Sequence, residues 1–346
     1  MKAIIVGLGR IGSENDCTDC GYSRSHVGAL YLNGGFELVG AVETNFDRAS
    51  AARQQWCWPS DFPISESLTT FQGAEPELVV LATGPNGRAD LVRQAIELSP
   101  RLILIEKPVT TSLAEAVEIN QHLEKAGIAS QVMFHRHYDP RHLALKAELG
   151  KSRPLFVQAR YNKGLFNYGS HMLDLLQSLC GSITTVRHIP MERDVSETID
   201  PSLSFHCSFA AGGSATVQGM DRVPYDQFEM DLFFSDKVIQ VNNGGCEILT
   251  RQVTADLYYP GYAHMAHPET LQTVADLTSG PVRGFDGLYT AIAKFLEYGK
   301  SLSGCDMGGA VIIQAILEAV KESASRKGQE ISVEDVLPPG NHHFSM

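Results

Sequence analysis

The chain has 346 residues, 43% of them hydrophobic and 20% charged, with a formal net charge of −12. That length exceeds one ordinary domain and fits two, and the apolar fraction excludes disorder over most of it. No apolar run approaches the about 18 residues of a helical membrane span, and the acidic balance excludes a nucleic-acid binder, which needs a basic surface to displace counterions from phosphates.

The opening M-K-A-I-I-V-G-L-G carries too short an apolar run for a secretory signal. The expectation is a cytoplasmic protein. Its seven cysteines, at 17, 20, 57, 180, 207, 246 and 305, then read as reduced thiols.

In the first third, strand patterns alternate with helical ones. Lys2 to Val6, Phe36 to Glu43, Leu78 to Ala82, Leu102 to Glu106 and Gln131 to Phe134 are continuous apolar runs, suited to strands covered on both faces. The clearest helix spans Ser112 to Ala126, with Ser112 and Glu115 as a capping box and Gly127 as the stop. This alternation predicts an α/β fold with a doubly wound parallel sheet.

The middle of the chain follows another logic. Leu203, Phe205, Cys207 and Phe209 alternate with polar residues, as do Phe228, Met230 and Leu232. Gly212-Gly213 and Asn242-Asn243-Gly244-Gly245 read as hairpin turns. An antiparallel sheet is expected here, followed by helices near 285–300 and 307–327. The predicted division is 1–130 for a dinucleotide-binding domain and 131–346 for a substrate-binding and oligomerisation domain.

Gly7-Leu8-Gly9-Arg10-Ile11-Gly12 is a G-x-G-x-x-G directly after the first strand. Gly7 makes the turn, Gly9 admits a pyrophosphate to the backbone, and Gly12 lets helix pack on strand. The alternative is a glycine turn with no ligand. Glu43 ends the second strand, where a carboxylate accepts both ribose hydroxyls of NAD and repels the 2′-phosphate of NADP. Arg48 keeps NADP open. Glu43 lies 31 residues after Gly12, further than the usual about 20. The polar insertion 13–25 explains the excess. It holds Cys17 and Cys20, a C-x-x-C read as two incidental thiols, with a redox pair as the alternative; no second pair follows at zinc spacing. His264 and His267 are weighed the same way, so no metal is expected, and His342 and His343 read as a tail.

Glu106-Lys107-Pro108 closes the fourth strand, where ligands bind in open α/β sheets. Lys107 there is a candidate proton carrier or a plain surface lysine. Asn167 to Asp174 opens a helix on which His171 and Asp174 share a face. A histidine beside a carboxylate suits proton transfer, and a structural hydrogen bond is the alternative.

Taken together, G-L-G-R-I-G, A-V-E at 41–43, A-T-G-P-N at 82–86, E-K-P at 106–108, H-R-H-Y-D-P at 135–140 and G-S-H-M-L-D at 169–174 resemble the glucose–fructose oxidoreductase / inositol dehydrogenase (Gfo/Idh/MocA-like) family over nearly the whole chain. The resemblance implies an N-terminal Rossmann domain and a C-terminal α+β domain with a large, mostly antiparallel sheet. It implies an NAD(P)-dependent dehydrogenase or reductase acting on a secondary alcohol of a sugar, cyclitol or sugar nucleotide, and a homodimer or homotetramer formed through that sheet. Lys107 and His171 match the family's catalytic residues, and Asp174 its acidic residue a turn later. Gly7, Gly9, Arg10, Ile11, Gly12, Glu43, Thr83, Asn86, Glu106 and Lys107 are the expected cofactor residues. Asn167, Arg136, Tyr161, Lys163 and Asp174 are expected to bind substrate, with Arg160 and Asn162 as weaker candidates. Asn167 departs from the family, which often has Asp there; an amide cannot ionise. That leaves two rivals: a non-catalytic NAD-binding sensor, and an enzyme that holds NAD tightly for a redox-neutral step on a sugar.

Overall fold

Strands β1 (Lys2–Val6), β2 (Glu37–Val42), β3 (Ile64–Ser65), β4 (Leu78–Leu81), β5 (Leu102–Ile105) and β6 (Ala129–Val132) form a six-stranded sheet in the order β3-β2-β1-β4-β5-β6. Every pairing in it is parallel. The structure is a computed structural model and describes residues 1–150, 152–190, 199–221, 223–271 and 284–338. Strands β4 and β5 are buried along their whole length, as their unbroken apolar runs require. Helices α1 (His26–Asn33), α2 (Phe46–Gln55), α3 (Arg88–Glu97) and α4 (Leu113–Ala126) connect the strands. This is the doubly wound sheet expected, and its strand order reverses between β1 and β4, where such folds bind ligands.

Two local readings are corrected. The fifth run ends as a strand at Val132, because Phe134 turns into a 3-10 segment, His135–Tyr138. Met133 still donates its N–H to the Ile105 carbonyl at 2.9 Å, while the Phe134 N–H turns back to the Val132 carbonyl at 2.7 Å; both side chains are buried. The capping box at α4 is half made. Ser112 Oγ accepts the Glu115 N–H at 3.5 Å, but Glu115 turns to the Thr110 hydroxyl and the Ala89 N–H. The Thr110 Oγ1 accepts the Ser112 N–H instead.

The chain then enters α5 (Pro140–Leu149), β7 (Phe156–Tyr161), α6 (Ser170–Cys180) and β8 (Ile183–His188). There follow β9 (Phe205–Phe209), β10 (Ser214–Gly219), β11 (Phe228–Phe233), β12 (Lys237–Asn242), β13 (Glu247–Ala255), β14 (Ala263–Met265) and β15 (Glu269–Thr270). After α7 (Gly284–Tyr298) and α8 (Met307–Ser325), a short β16 (Ile331–Ser332) completes a ten-stranded sheet, ordered β14-β13-β12-β11-β7-β10-β9-β8-β16 with β15 beside β13. It is antiparallel apart from one pair, β7 with β10. The alternation of β9 puts Phe205, Cys207 and Phe209 inside, as its sequence demands.

Contacts divide the chain into two units, 1–139 with 283–311 and 140–282 with 312–346. The return of 283–311 to the first unit comes from α7. Its Phe285 meets the His26 ring edge-on at 5.3 Å, and its Tyr289 meets Phe36 at 5.8 Å. No helix among the described residues is long and apolar enough to cross a membrane.

Candidate functional site

In the first unit the expected cofactor residues converge at the carboxyl ends of β1, β2, β4 and β5. Gly7 follows β1 with φ +94°, a conformation suited to glycine. A Cβ on Gly12 would lie 2.1 Å from the Gly7 carbonyl oxygen, so the turn closes only with glycine there. Beyond Gly9 the nearest group a side chain would meet is the Arg48 guanidinium at 3.9 Å, which leaves that backbone accessible. Residues Arg10–Glu14 make one π-type turn, whose leading N–H groups have no partner within it. The helix then breaks, as expected, and resumes at α1. Arg10 is exposed and Ile11 half-buried.

Glu43 is buried, its Oε2 accepting the Leu8 N–H at 2.9 Å and its Oε1 the Asn45 N–H at 2.9 Å. Arg48 lies 3.5 Å from Glu43 and 3.1 Å from Glu14, spanning both carboxylates. Thr83 follows β4, and its buried hydroxyl oxygen has no hydrogen-bond partner. Asn86 is exposed. A glycine cradle, a buried carboxylate at the second strand end and an orphaned hydroxyl are together the polar surface a dinucleotide needs, so these residues fit the cofactor.

The fourth motif is held from below. Glu106 is buried, and its Oε2 accepts the Lys107 N–H at 3.0 Å. Its Oε1 lies 3.0 Å from His26 Nε2, and His26 Nδ1 lies 2.8 Å from the Tyr289 hydroxyl. Burial, and secondarily the Glu106 charge, push the Tyr289 hydroxyl well above its ordinary pKa. It therefore stays protonated, and the imidazole is held between that hydroxyl and the Glu106 carboxylate. Arg88 clamps the same turn. Its guanidinium donates to the carbonyls of Glu106 (2.8 Å), Thr83 (2.6 Å) and Gly84 (3.0 Å). Burial lowers its pKa to about 10, which still leaves it charged near neutrality. Lys107 itself is half-buried at the strand end. Arg136 is buried in the His135–Tyr138 segment. Sequence reasoning missed the roles of His26 and Arg88, because nothing local distinguishes them from a helix start and a surface arginine.

In the second unit, Asn167, His171 and Asp174 share one segment. Leu165–Gly169 makes a π-type turn that runs directly into α6. Asp200 fixes that turn, accepting the N–H groups of Phe166 (3.0 Å) and Asn167 (3.1 Å). The approach is so close that a Cβ on Gly164, at φ +97°, would lie 2.1 Å from the Asp200 carboxylate. His171 and Asp174 are buried, and Asn167 is half-buried. Gln177, one turn after Asp174, is also buried, and neither of its amide atoms has a hydrogen-bond partner. It was not expected; its only sequence signal is the i, i+3, i+6 spacing with His171 and Asp174.

The remaining candidates separate. Tyr161 is fully buried, and its hydroxyl donates to the Leu203 carbonyl at 2.8 Å, so it braces the sheet rather than lining a pocket. Lys163 is exposed, paired with Asp226 and lying over the Tyr168 ring at 5.2 Å. It borders an open cleft with Asn162, Asp200, Asp221 and Tyr225. Arg160 pairs with Glu229 (3.2 Å) and Asp231 (3.6 Å) across β7 and β11, and Asn162 is tied to Tyr225 and Gln227. His264 is exposed and 3.7 Å from Asp256. Among the described residues no group of three or more His, Cys, Asp or Glu side chains is placed to hold a metal. His342 and His343 lie outside the described residues.

Comparison with known proteins agrees with this architecture. Residues 1–134 match the family described as "Oxidoreductase family, NAD-binding Rossmann fold". The chain is 24% identical over 255 residues to scyllo-inositol 2-dehydrogenase (NAD(+)) of Bacillus subtilis strain 168, covering 65% of this chain and 68% of that protein. Levoglucosan dehydrogenase, solved with NADH and L-sorbose, superposes with a TM-score of 0.77 at 14% identity, covering 97% of this chain and 99% of that one. An oxidoreductase from Agrobacterium radiobacter, solved with NAD+, L-tartaric acid and magnesium, gives 0.74 at 15% identity over 97% and 99%. The family match covers residues 1–134, the NAD-binding Rossmann part of the chain, and the solved structures share its fold over nearly the whole length.

Proposed function

We propose that the chain transfers hydride between a nicotinamide cofactor and a secondary carbinol carbon of a sugar, cyclitol or sugar nucleotide. The observation that carries this reading is the setting of Lys107. It stands at the end of a buried strand in a dinucleotide-binding sheet, with its backbone clamped by Glu106 and Arg88. The relative that acts on scyllo-inositol supports the substrate class.

The cofactor, when bound, supplies the hydride acceptor or donor. The residues of the chain do the rest. The turn Gly7–Gly12 and its leading N–H groups take the pyrophosphate. The Glu43 carboxylate accepts from the ribose hydroxyls, which favours NAD over NADP. Arg48, held by Glu43 and Glu14, supports NADP as the second choice. Lys107 and His171 handle the proton of the reacting hydroxyl. Asn167, Arg136, Lys163 and Asp174 fix substrate orientation, Asn167 as a neutral hydrogen-bonding group.

The test is NADH formation from NAD+ over a panel of inositols, monosaccharides, anhydrosugars and sugar nucleotides. Turnover with one class is expected. Bound NAD with no turnover across the panel favours a sensor, and product without net NADH favours redox-neutral chemistry; either result contradicts the proposal.

A further inference from the structure

The insertion between the phosphate-binding turn and α1 holds two thiols in contact. Cys17 Sγ and Cys20 Sγ lie 3.2 Å apart, and the Cys20 N–H donates to the Cys17 carbonyl at 3.2 Å, which folds the C-x-x-C into a turn. Cys17 is exposed and Cys20 half-buried, so both can be reached from solvent. The other thiols of the first unit are an exposed Cys57 and a buried Cys305.

The loop around the pair is pinned. Asp16 is buried, and its carboxylate accepts the Arg24 N–H at 2.7 Å, the Ser25 hydroxyl at 2.8 Å and the Arg24 Nε–H at 3.3 Å. The Gln55 amide donates to the carbonyls of Ser13 and Asp16, and the Trp56 indole donates to the Ser13 hydroxyl. At the far end Ser23 bonds Asp286 on α7 through both its N–H and its hydroxyl. Ordering of the loop is thus already achieved by groups other than the sulfurs, and closing a bond between them costs little further chain entropy. The sulfurs need approach only from 3.2 Å to the about 2.05 Å of a disulfide.

The two thiols are unequal. Contact with the Cys17 sulfur and with its backbone, and secondarily Arg24, whose guanidinium lies 3.9 Å from Cys20 Sγ, lower the Cys20 pKa. The same contact with Cys20 raises that of Cys17. Cys20 is thereby the attacking thiolate and Cys17 the resolving thiol.

We propose that Cys17 and Cys20 form a reversible dithiol/disulfide couple on the loop beside the dinucleotide turn, closed by exchange with a low-molecular-weight disulfide of the oxidised-glutathione class. The Cys20 thiolate attacks one sulfur of that disulfide, forming a mixed disulfide and releasing one thiolate. The Cys17 thiol then loses its proton and attacks Cys20 Sγ, forming the intramolecular bond and releasing the second thiol. Two protein thiols are oxidised and one external disulfide is reduced to two thiols.

The test uses the full chain, reduced and freed of reductant, then exposed to oxidised glutathione and followed by intact mass and peptide mapping. The expected product has lost two hydrogens, carries a Cys17–Cys20 link and returns to the dithiol with dithiothreitol. Cys17→Ser should trap a glutathione adduct on Cys20, because the resolving thiol is gone. Cys20→Ser should react at Cys17 about tenfold more slowly or worse, for want of the favoured thiolate. The proposal is overturned if Cys57 reacts while the pair stays reduced, if the wild-type adduct never resolves, or if the two serine variants react alike.

Discussion

Glu106 shows how one side chain sets the position of another. Its two carboxylate oxygens are divided between the Lys107 N–H and His26, and His26 rests on Tyr289, 263 residues away in sequence. The placement of the glycines and of Lys107 was legible because a motif fixes it locally. His26 and Arg88 were not, because their roles exist only once distant segments bury them. Tyr289→Phe removes the hydroxyl partner of a buried imidazole and should cost about 1–3 kcal/mol in urea unfolding. An unchanged midpoint would mean that the chain of contacts is not held together as described.

A second residue-scale expectation concerns pH. Burial pushes the thiols of Cys180 and Cys207 up to about 12 from an ordinary value near 9. The folded-state pKa is raised, so the stability this contributes is fully present below pH 9 and is lost as pH rises from 9 through about 12. Each thiol contributes about 4 kcal/mol to the fall across that window. In Cys207→Ala the alkaline decline measured by urea unfolding should be shallower by about one thiol's share; an identical slope would contradict the assignment.

At the scale of elements, period and punctuation carried most of the reading. Apolar runs located the parallel strands, alternation located β9 and β11, and Gly127 stopped α4 at φ +66°. The parallel β7–β10 pair was not legible, because alternation reports which face a side chain takes and not the direction of the neighbouring strand. The segment before α6 was half legible. Its motif announced a helix, but the acceptor that shapes it is Asp200, more than thirty residues on. Asp200→Asn replaces a charged acceptor of two N–H groups with a neutral one. It should lower stability by about 1.5–3 kcal/mol and, on the proposed function, raise KM more than it lowers kcat, since it moves Asn167 and not the proposed proton carriers Lys107 and His171. A variant matching wild type in both would show that the turn holds without it.

At the scale of the molecule, two sheets with opposite pairing logic follow from two kinds of sequence. Continuous apolar runs build a sheet covered on both faces, and alternating ones build a sheet with distinct faces. The change of pattern, read as a division at residue 130, was visible, whereas the return of α7 to the first unit was not. Its apolar stripe says that it packs, and only the contacts of Phe285 and Tyr289 say on what. The measurement that tests the central claim most directly is NADH fluorescence for wild type and Lys107→Ala, with NAD+ affinity determined for both. Hydride transfer with Lys107 as a proton-handling group predicts NADH formation from a secondary alcohol by the wild type. It predicts a loss of at least about 100-fold in kcat for the variant, with NAD+ affinity retained. Equal turnover by the two proteins, or NAD+ bound and never reduced by the wild type, would contradict it.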